Sequence, residues 1–167
     1  MQAYSDATPP QLDREQLFRE FCVPLLGLPV SHVWQGHGSA IFLEFGDLRQ
    51  QNRLDGSPGN PFGQWTLMME WSWRIEGKRR IWCGSWSREA RWPRAFARLQ
   101  GARVVSASLT GRLPEVDIAL SNGLHVLSMM TAEGDPAWAL INRCGSQVVS
   151  LSVRAGRLHQ ESDPLDI

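Results

Sequence analysis

The groups that could do chemistry are mostly scattered. The carboxylates Glu44, Asp47, Glu70, Glu115 and Asp117 fall on or beside segments that alternate apolar and polar residues. Two of them meeting across a cleft would suit general acid and base catalysis, one holding a proton while the other accepts one. Nothing in their spacing requires that meeting, so no catalytic residue is assigned, and a small enzyme using a carboxylate pair stands as a third option. His32, His37, His125 and His159 form no H-E-x-x-H or H-x-H pattern, and Cys22, Cys83 and Cys144 are three widely spaced thiols without a C-x-x-C pair. That spacing fits neither a zinc site nor a disulfide framework, and no metal or cofactor is expected. The turn "GHGS", Gly36 to Ser39, reads as a hairpin turn rather than an oxyanion loop.

One stretch is concentrated. Nine basic residues, Arg74, Lys78, Arg79, Arg80, Arg88, Arg91, Arg94, Arg98 and Arg103, are opposed within it only by Glu76 and Glu89. Six of the eight tryptophans fall between Trp65 and Trp92. On a helix, Arg91, Arg94 and Arg98 recur at three- and four-residue spacing and form one cationic stripe, with Trp92, Phe96 and Leu99 turned inward. Cations beside flat apolar rings suit an acidic protein surface, and they also suit single-stranded nucleic acid, whose phosphates need charge and whose bases need stacking partners. Candidate binding residues are therefore Arg88, Arg91, Arg94 and Arg98 with Trp82 or Trp86. A protein partner is favoured and nucleic acid is the alternative.

A second candidate is the polar, Gly-, Asn- and Pro-rich loop from Arg49 to Gly63, with Arg49, Asn52, Arg53 and Asp55 as contact residues. It is expected at the surface, and within any specific contact, because its length exceeds what closing a sheet needs.

The elements that must position these groups come in an order that repeats. "DREQLFREFCVPLLGLPV", Asp13 to Val30, is echoed by "SREARWPRAFARLQGARV", Ser87 to Val104, with Arg14 and Arg88, Glu15 and Glu89, Leu25 and Leu99, Gly27 and Gly101, and Val30 and Val104 matched at an offset of 74. Each copy reads as a helix closed by glycine, capped at Asp13 or Ser87 and with Glu15 or Glu89 in its first turn. Thr8, followed by Pro9 and Pro10, offers an earlier start for the first helix. A strand, a turn and a second strand follow, then a W-x-L segment around Trp65 or Trp138; "TAEGDPA" stands where the first copy has its long loop. Trp65 to Ile75 alternates without a break and predicts one strand, turning at "EGK" into a partner that sets Trp73 near Trp82. The expected fold is α+β and mainly β, a single domain over residues 1–167. It is built of repeats 13–86 and 87–158, each a helix on an antiparallel sheet, related by a pseudo-two-fold axis, with residues 159–167 as a polar tail. Tryptophans at alternating strand positions are expected to be core, with Trp71 and Val149 among the buried residues.

With 167 residues, 43% apolar and 20% charged, the chain has the composition of an ordinary soluble domain able to bury roughly 70% of its unfolded surface. Its formal charge of zero supplies no global attraction to nucleic acid or membrane. The N-terminal residues lack a positive and then apolar leader pattern, and no apolar run reaches 18 residues, so the expectation is a cytoplasmic protein that does not span a membrane.

The duplicated glycine, the strand "GSAIFLEFGD" and the W-x-L strands give the chain a resemblance to a group of small uncharacterised bacterial proteins built from repeated glycine, strand, strand, tryptophan-strand units. The resemblance covers Leu26 to Ile75 and Gly101 to Val153. Some members of such groups are encoded beside toxins and are suspected immunity proteins. It implies a non-enzymatic binding protein and carries over no catalytic residue.

Overall fold

Period-two alternation recurs along this chain, and in the computed structural model, which describes residues 11–164, it resolves into strands that lie in two antiparallel sheets. In chain order the elements are α1 (Gln11–Cys22), β1 (Val30–Gln35), β2 (Ile41–Phe45), β3 (Trp65–Met69), β4 (Trp73–Glu76), β5 (Ile81–Gly84), α2 (Trp92–Leu99), β6 (Val104–Thr110), β7 (Glu115–Leu120), β8 (His125–Ser128), β9 (Trp138–Asn142), β10 (Gln147–Arg154) and β11 (Arg157–Pro164). The protein is α+β and mainly β, as its sequence predicts. Sheet I runs β1-β2-β3-β9-β10-β11 and sheet II runs β6-β7-β8-β4-β5. Each sheet thus takes its first three strands from one half of the chain and the rest, three in sheet I and two in sheet II, from the other.

Gly27 and Gly101 explain how the halves join. Both hold a positive φ, +83° and +84°, that a side chain would strain. With the chain so turned, the Gly27 N–H donates to the Val104 carbonyl at 2.8 Å and the Gly101 N–H donates to the Val30 carbonyl at 2.8 Å. Val30 and Val104 then donate to the carbonyls of Ala102 and Leu28. The first strands of the two sheets are stitched together by reciprocal bonds.

The core is one cluster drawn from both sheets and both helices. Trp73 at the start of β4 donates its indole N–H to the Ser39 carbonyl at 2.6 Å, and Trp138 at the start of β9 donates its own to the Pro114 carbonyl at 2.9 Å, so two large buried rings leave no polar atom unpaired. Phe18 of α1 packs edge-on against Trp138, and Trp92 of α2 packs edge-on against Trp73. Each helix is therefore held by a strand from the opposite half. Truncating a ring at such a position costs about 3–5 kcal/mol.

Several expectations change. The single strand from Trp65 to Ile75 is two: at Glu70–Ser72 the chain passes from sheet I to sheet II, with Glu70 bonded to Ala137 and Met129 bonded to Ser72. Trp71 sits in that crossing and is half-buried, and Val149 near the start of β10 is also half-buried. The W-x-L segments at Trp65 and Trp138 do not occupy matching places. They lie on adjacent strands of sheet I with Leu67 opposite Leu140, and it is Trp73 that holds the place in sheet II that Trp138 holds in sheet I. A register shift between Ile75 and Glu76 leaves Trp82 without a partner in the β4–β5 ladder, so Trp73 and Trp82 do not pair. Ser87 caps no helix; its hydroxyl takes the Gly84 N–H, and α2 starts after Arg91 with Pro93 in its first turn. Helix α1 begins ahead of Asp13, and the Thr8 start lies outside the described residues. Residues 159–164, read as tail, continue β11 along β10.

Candidate functional site

The concentrated basic stretch is built by three local devices. The turn leading into β5 closes with the Gly77 N–H on the Arg80 carbonyl at 2.9 Å, and a Cβ at Gly77 would lie 2.7 Å from the Trp82 indole nitrogen, so only glycine lets the ring settle there. Helix α2 buries Trp92, Ala95 and Leu99, which turns Arg91, Arg94 and Arg98 outward at spacings of three and four. The Asn122 side-chain amide donates to the Arg98 carbonyl at 2.8 Å and finishes the helix. Between β5 and α2 lies a groove of about 430 Å³ whose walls carry Arg80, Ile81, Trp82, Arg91, Arg94 and Arg98.

Charge in this groove is one-sided. Arg80 and Arg98 both lie over the Trp82 ring, their guanidiniums 3.6 and 3.9 Å from its centroid. Among the described residues, none of the four groove arginines has a carboxylate within ion-pair distance. Elsewhere in the stretch two cations are committed: Arg74 pairs with Glu76 at 2.7 Å, and Arg103 donates to the Gly27 carbonyl at 2.9 Å. Stacking holds the guanidiniums flat and leaves their N–H edges for an incoming anion. A neighbouring groove, sharing Ile81 with the first, is lined by Trp86 and Met129; Trp86 is 93% exposed.

The sequence-predicted residues therefore separate. Arg91, Arg94, Arg98 and Trp82 come together in the arginine groove, Trp86 stands beside it, and Arg88 is exposed on the turn before α2 outside it. Arg80 completes the site and was absent from the sequence-based set. Its position two residues before Trp82 was the available signal, since that spacing puts two strand residues on one face.

Arg49, Asn52, Arg53 and Asp55 lie elsewhere, on an ordered arm. Arg49 and Phe62 exchange backbone bonds, Asn52 bridges to Pro58, and the tip turns at Asp55, whose carboxylate accepts from the Ser57 amide and hydroxyl at 2.9 and 2.6 Å. Those hydrogen bonds hold the Asp55 carboxyl below its ordinary range. The arm's roots are tied to Glu44 and Arg143. By place in the sheets its counterpart is the four-residue turn at 121–124 between β7 and β8; "TAEGDPA" instead joins β8 to β9. No hydrogen bond or ion pair joins the arm to the arginine groove among the described residues.

The carboxylates have structural partners. Glu44 is 1% exposed; one oxygen accepts from the Trp34 indole at 3.0 Å and the other from the Gly63 amide at 2.9 Å and the Thr66 hydroxyl at 2.5 Å. Arg143 donates to that same hydroxyl at 2.7 Å; burial lowers its pKa while the Glu44 charge works against the shift. Glu115 accepts from Ser128 and from the Met130 amide, and Asp117 lies 2.9 Å from His125. No group of three His, Cys, Asp or Glu side chains placed to hold a metal occurs among the described residues. No helix among them is long and apolar enough to cross a membrane. No family model, curated protein or solved structure matches this chain.

Proposed function

We propose that this chain is a non-enzymatic, cytoplasmic interaction protein whose arginine groove receives an acidic segment of a protein partner. The observation that carries this reading is the doubly stacked tryptophan: the Trp82 ring has two guanidiniums over it, at 3.6 and 3.9 Å from its centroid, and the groove arginines lack carboxylates within ion-pair distance among the described residues. Such a site offers charge and hydrogen-bond donors at its surface, and Ile81 with Trp86 alongside adds the arginine and aromatic mixture that concentrates binding energy at protein interfaces. If the resemblance to immunity-type proteins extends to function, the acidic partner is a toxin.

Nucleic acid remains the second reading, favoured by the same cations and by the open ring of Trp86. It fits less well because a base stacking on Trp82 competes with Arg80 and Arg98 for the ring. We also read the two halves as copies of one ancestral unit about a pseudo-two-fold axis. The reciprocal bonds at Gly27 and Gly101, the matching strand orders and the equivalent anchors of Trp73 and Trp138 support that reading.

Cross-linking in the native host, followed by capture, tests the proposal with wild type and an Arg91→Glu, Arg94→Glu variant. Both residues are exposed, so the variant should fold. An acidic protein captured by wild type and lost from the variant is the expected result. Capture unaffected by the reversal, or capture of nucleic acid alone, overturns it.

A further inference from the structure

The arginine groove lies where the next strand of sheet II would lie. Strand β5 is the outermost strand of that sheet, and Ile81 and Trp82 form one wall of the groove while α2 forms the other. In sheet I the corresponding place is filled: β10 stands where β5 stands, and β11 pairs antiparallel along its whole length. The strand that fills it is acidic. Glu161 lies opposite Ser150 and Asp163 opposite Val148, while the edge of β5 is flanked by Arg80, Arg91, Arg94 and Arg98.

We infer that the acidic segment binds as an extended strand added to the edge of β5, between β5 and α2, as β11 is added to β10. This rests on the proposal that the groove takes an acidic protein partner, and it names the mode of binding. Main-chain hydrogen bonds to an exposed edge supply affinity in such an arrangement, and alternate side chains, all on one face, supply specificity. The open part of the edge is short. Gly84 already exchanges bonds with Ser87, its N–H on the Ser87 hydroxyl at 3.0 Å and its carbonyl taking the Ser87 N–H at 2.9 Å, which closes that end; at the other the Arg80 carbonyl is held by the Gly77 N–H, and the stretch from Arg80 to Trp82 faces the groove with the rest of its edge. Trp82, free of the β4 ladder by the register shift, ends that stretch. A second copy pairing β5 to β5 would bring two arginine clusters together, and like charges placed opposite each other destabilise a strand pair. The incoming strand must therefore come from an acidic partner.

The test uses a capped hexapeptide alternating threonine and glutamate and two N-methylated isomers, one blocked at the threonine amides and one at the glutamate amides. With the strand antiparallel to β5, as β11 is to β10, only one set of amides can face β5 when the glutamates face the arginines. The expected result is that one isomer binds roughly tenfold more weakly than the parent while the other matches it. Equal affinity of all three peptides, or equal loss in both isomers, overturns strand addition. If these peptides lose binding together in the Arg91→Glu, Arg94→Glu variant, acidic docking still stands in that case. Failure of the parent peptide to bind wild type overturns the groove reading and the strand inference together.

Discussion

Replacing Glu44 with glutamine should destabilise this protein by about 3 kcal/mol, and the hydrogen-bond geometry says why. All three donors around the carboxylate are fixed: the Trp34 indole on one oxygen, the Gly63 amide and the Thr66 hydroxyl on the other. A glutamine presents one oxygen and one amide nitrogen, so a donor must face a donor on one side. A hydrogen bond to a charged group contributes about 1.5–3 kcal/mol, and a buried group left unpaired costs about 1–3 kcal/mol more. The Arg143 guanidinium also loses the negative charge that opposes its desolvation. For a chain of this size, that loss lowers Tm by roughly 6–12 °C. Urea unfolding gives the free energy, and hydrogen exchange at the Gly63 amide reports whether the root of the Arg49 to Gly63 arm has opened. A loss below about 1 kcal/mol with Gly63 protection unchanged would refute the assignment of Glu44 as the arm's anchor.

Other outcomes follow from the same geometry. Burial pushes the Cys22 thiol up to about 12 and raises that of Cys83, whereas Cys144 is exposed; a thiol reagent at pH 8 should label Cys144 alone until the protein unfolds, and native labelling of Cys22 would contradict its place in the core. Gly27→Ala and Gly101→Ala meet no atom within 4 Å and should each cost only backbone strain, about 1–2 kcal/mol and alike, while Gly63→Ala, whose Cβ would lie 2.4 Å from the Phe45 carbonyl, should cost more by urea titration. Because the Asp55 pKa is lowered in the folded arm, the tip turn is held throughout neutral pH and loosens only as pH falls below the ordinary value of 3.8; the Ser57 amide resonance should titrate there and not in Asp55→Asn.

Much of the scaffold was legible because it rests on local rules. Gly27 and Gly101 mark where the helical segments close, and the alternation of Ile41, Leu43 and Phe45 or of Val116, Ile118 and Leu120 marks one face of each second strand; all six of these apolar residues are buried. What stayed hidden is non-local. The alternation from Trp65 to Ile75 is unbroken, but alternation records which side of a sheet is buried and not which strand lies alongside, so the passage between sheets at Glu70–Ser72 left no mark. The exchange of strands between halves is invisible for the same reason. In the groove, the helical stripe Arg91, Arg94, Arg98 could be read from spacing, whereas the stacking of Arg80 and Arg98 on Trp82 depends on a register shift that hydrophobic pattern does not encode. The arm and the groove looked equally suited to a partner in sequence; their separation comes from topology, with the arm rooted at Glu44 and Arg143.

The central claim, that the groove around Trp82 takes an acidic polypeptide, is tested most directly by following the indole N–H resonances of the protein during titration with polyglutamate and, separately, with oligothymidylate. Drawing either guanidinium off Trp82 changes the ring's surroundings, while Trp65, Trp73 and Trp138 lie sealed in the core. The prediction is a saturable shift of the Trp82 resonance with polyglutamate, the three core resonances unmoved, and loss of the shift in Arg91→Glu, Arg94→Glu. An unmoved Trp82 at saturating polyglutamate would contradict the account, as would tighter binding of oligothymidylate at the same ring.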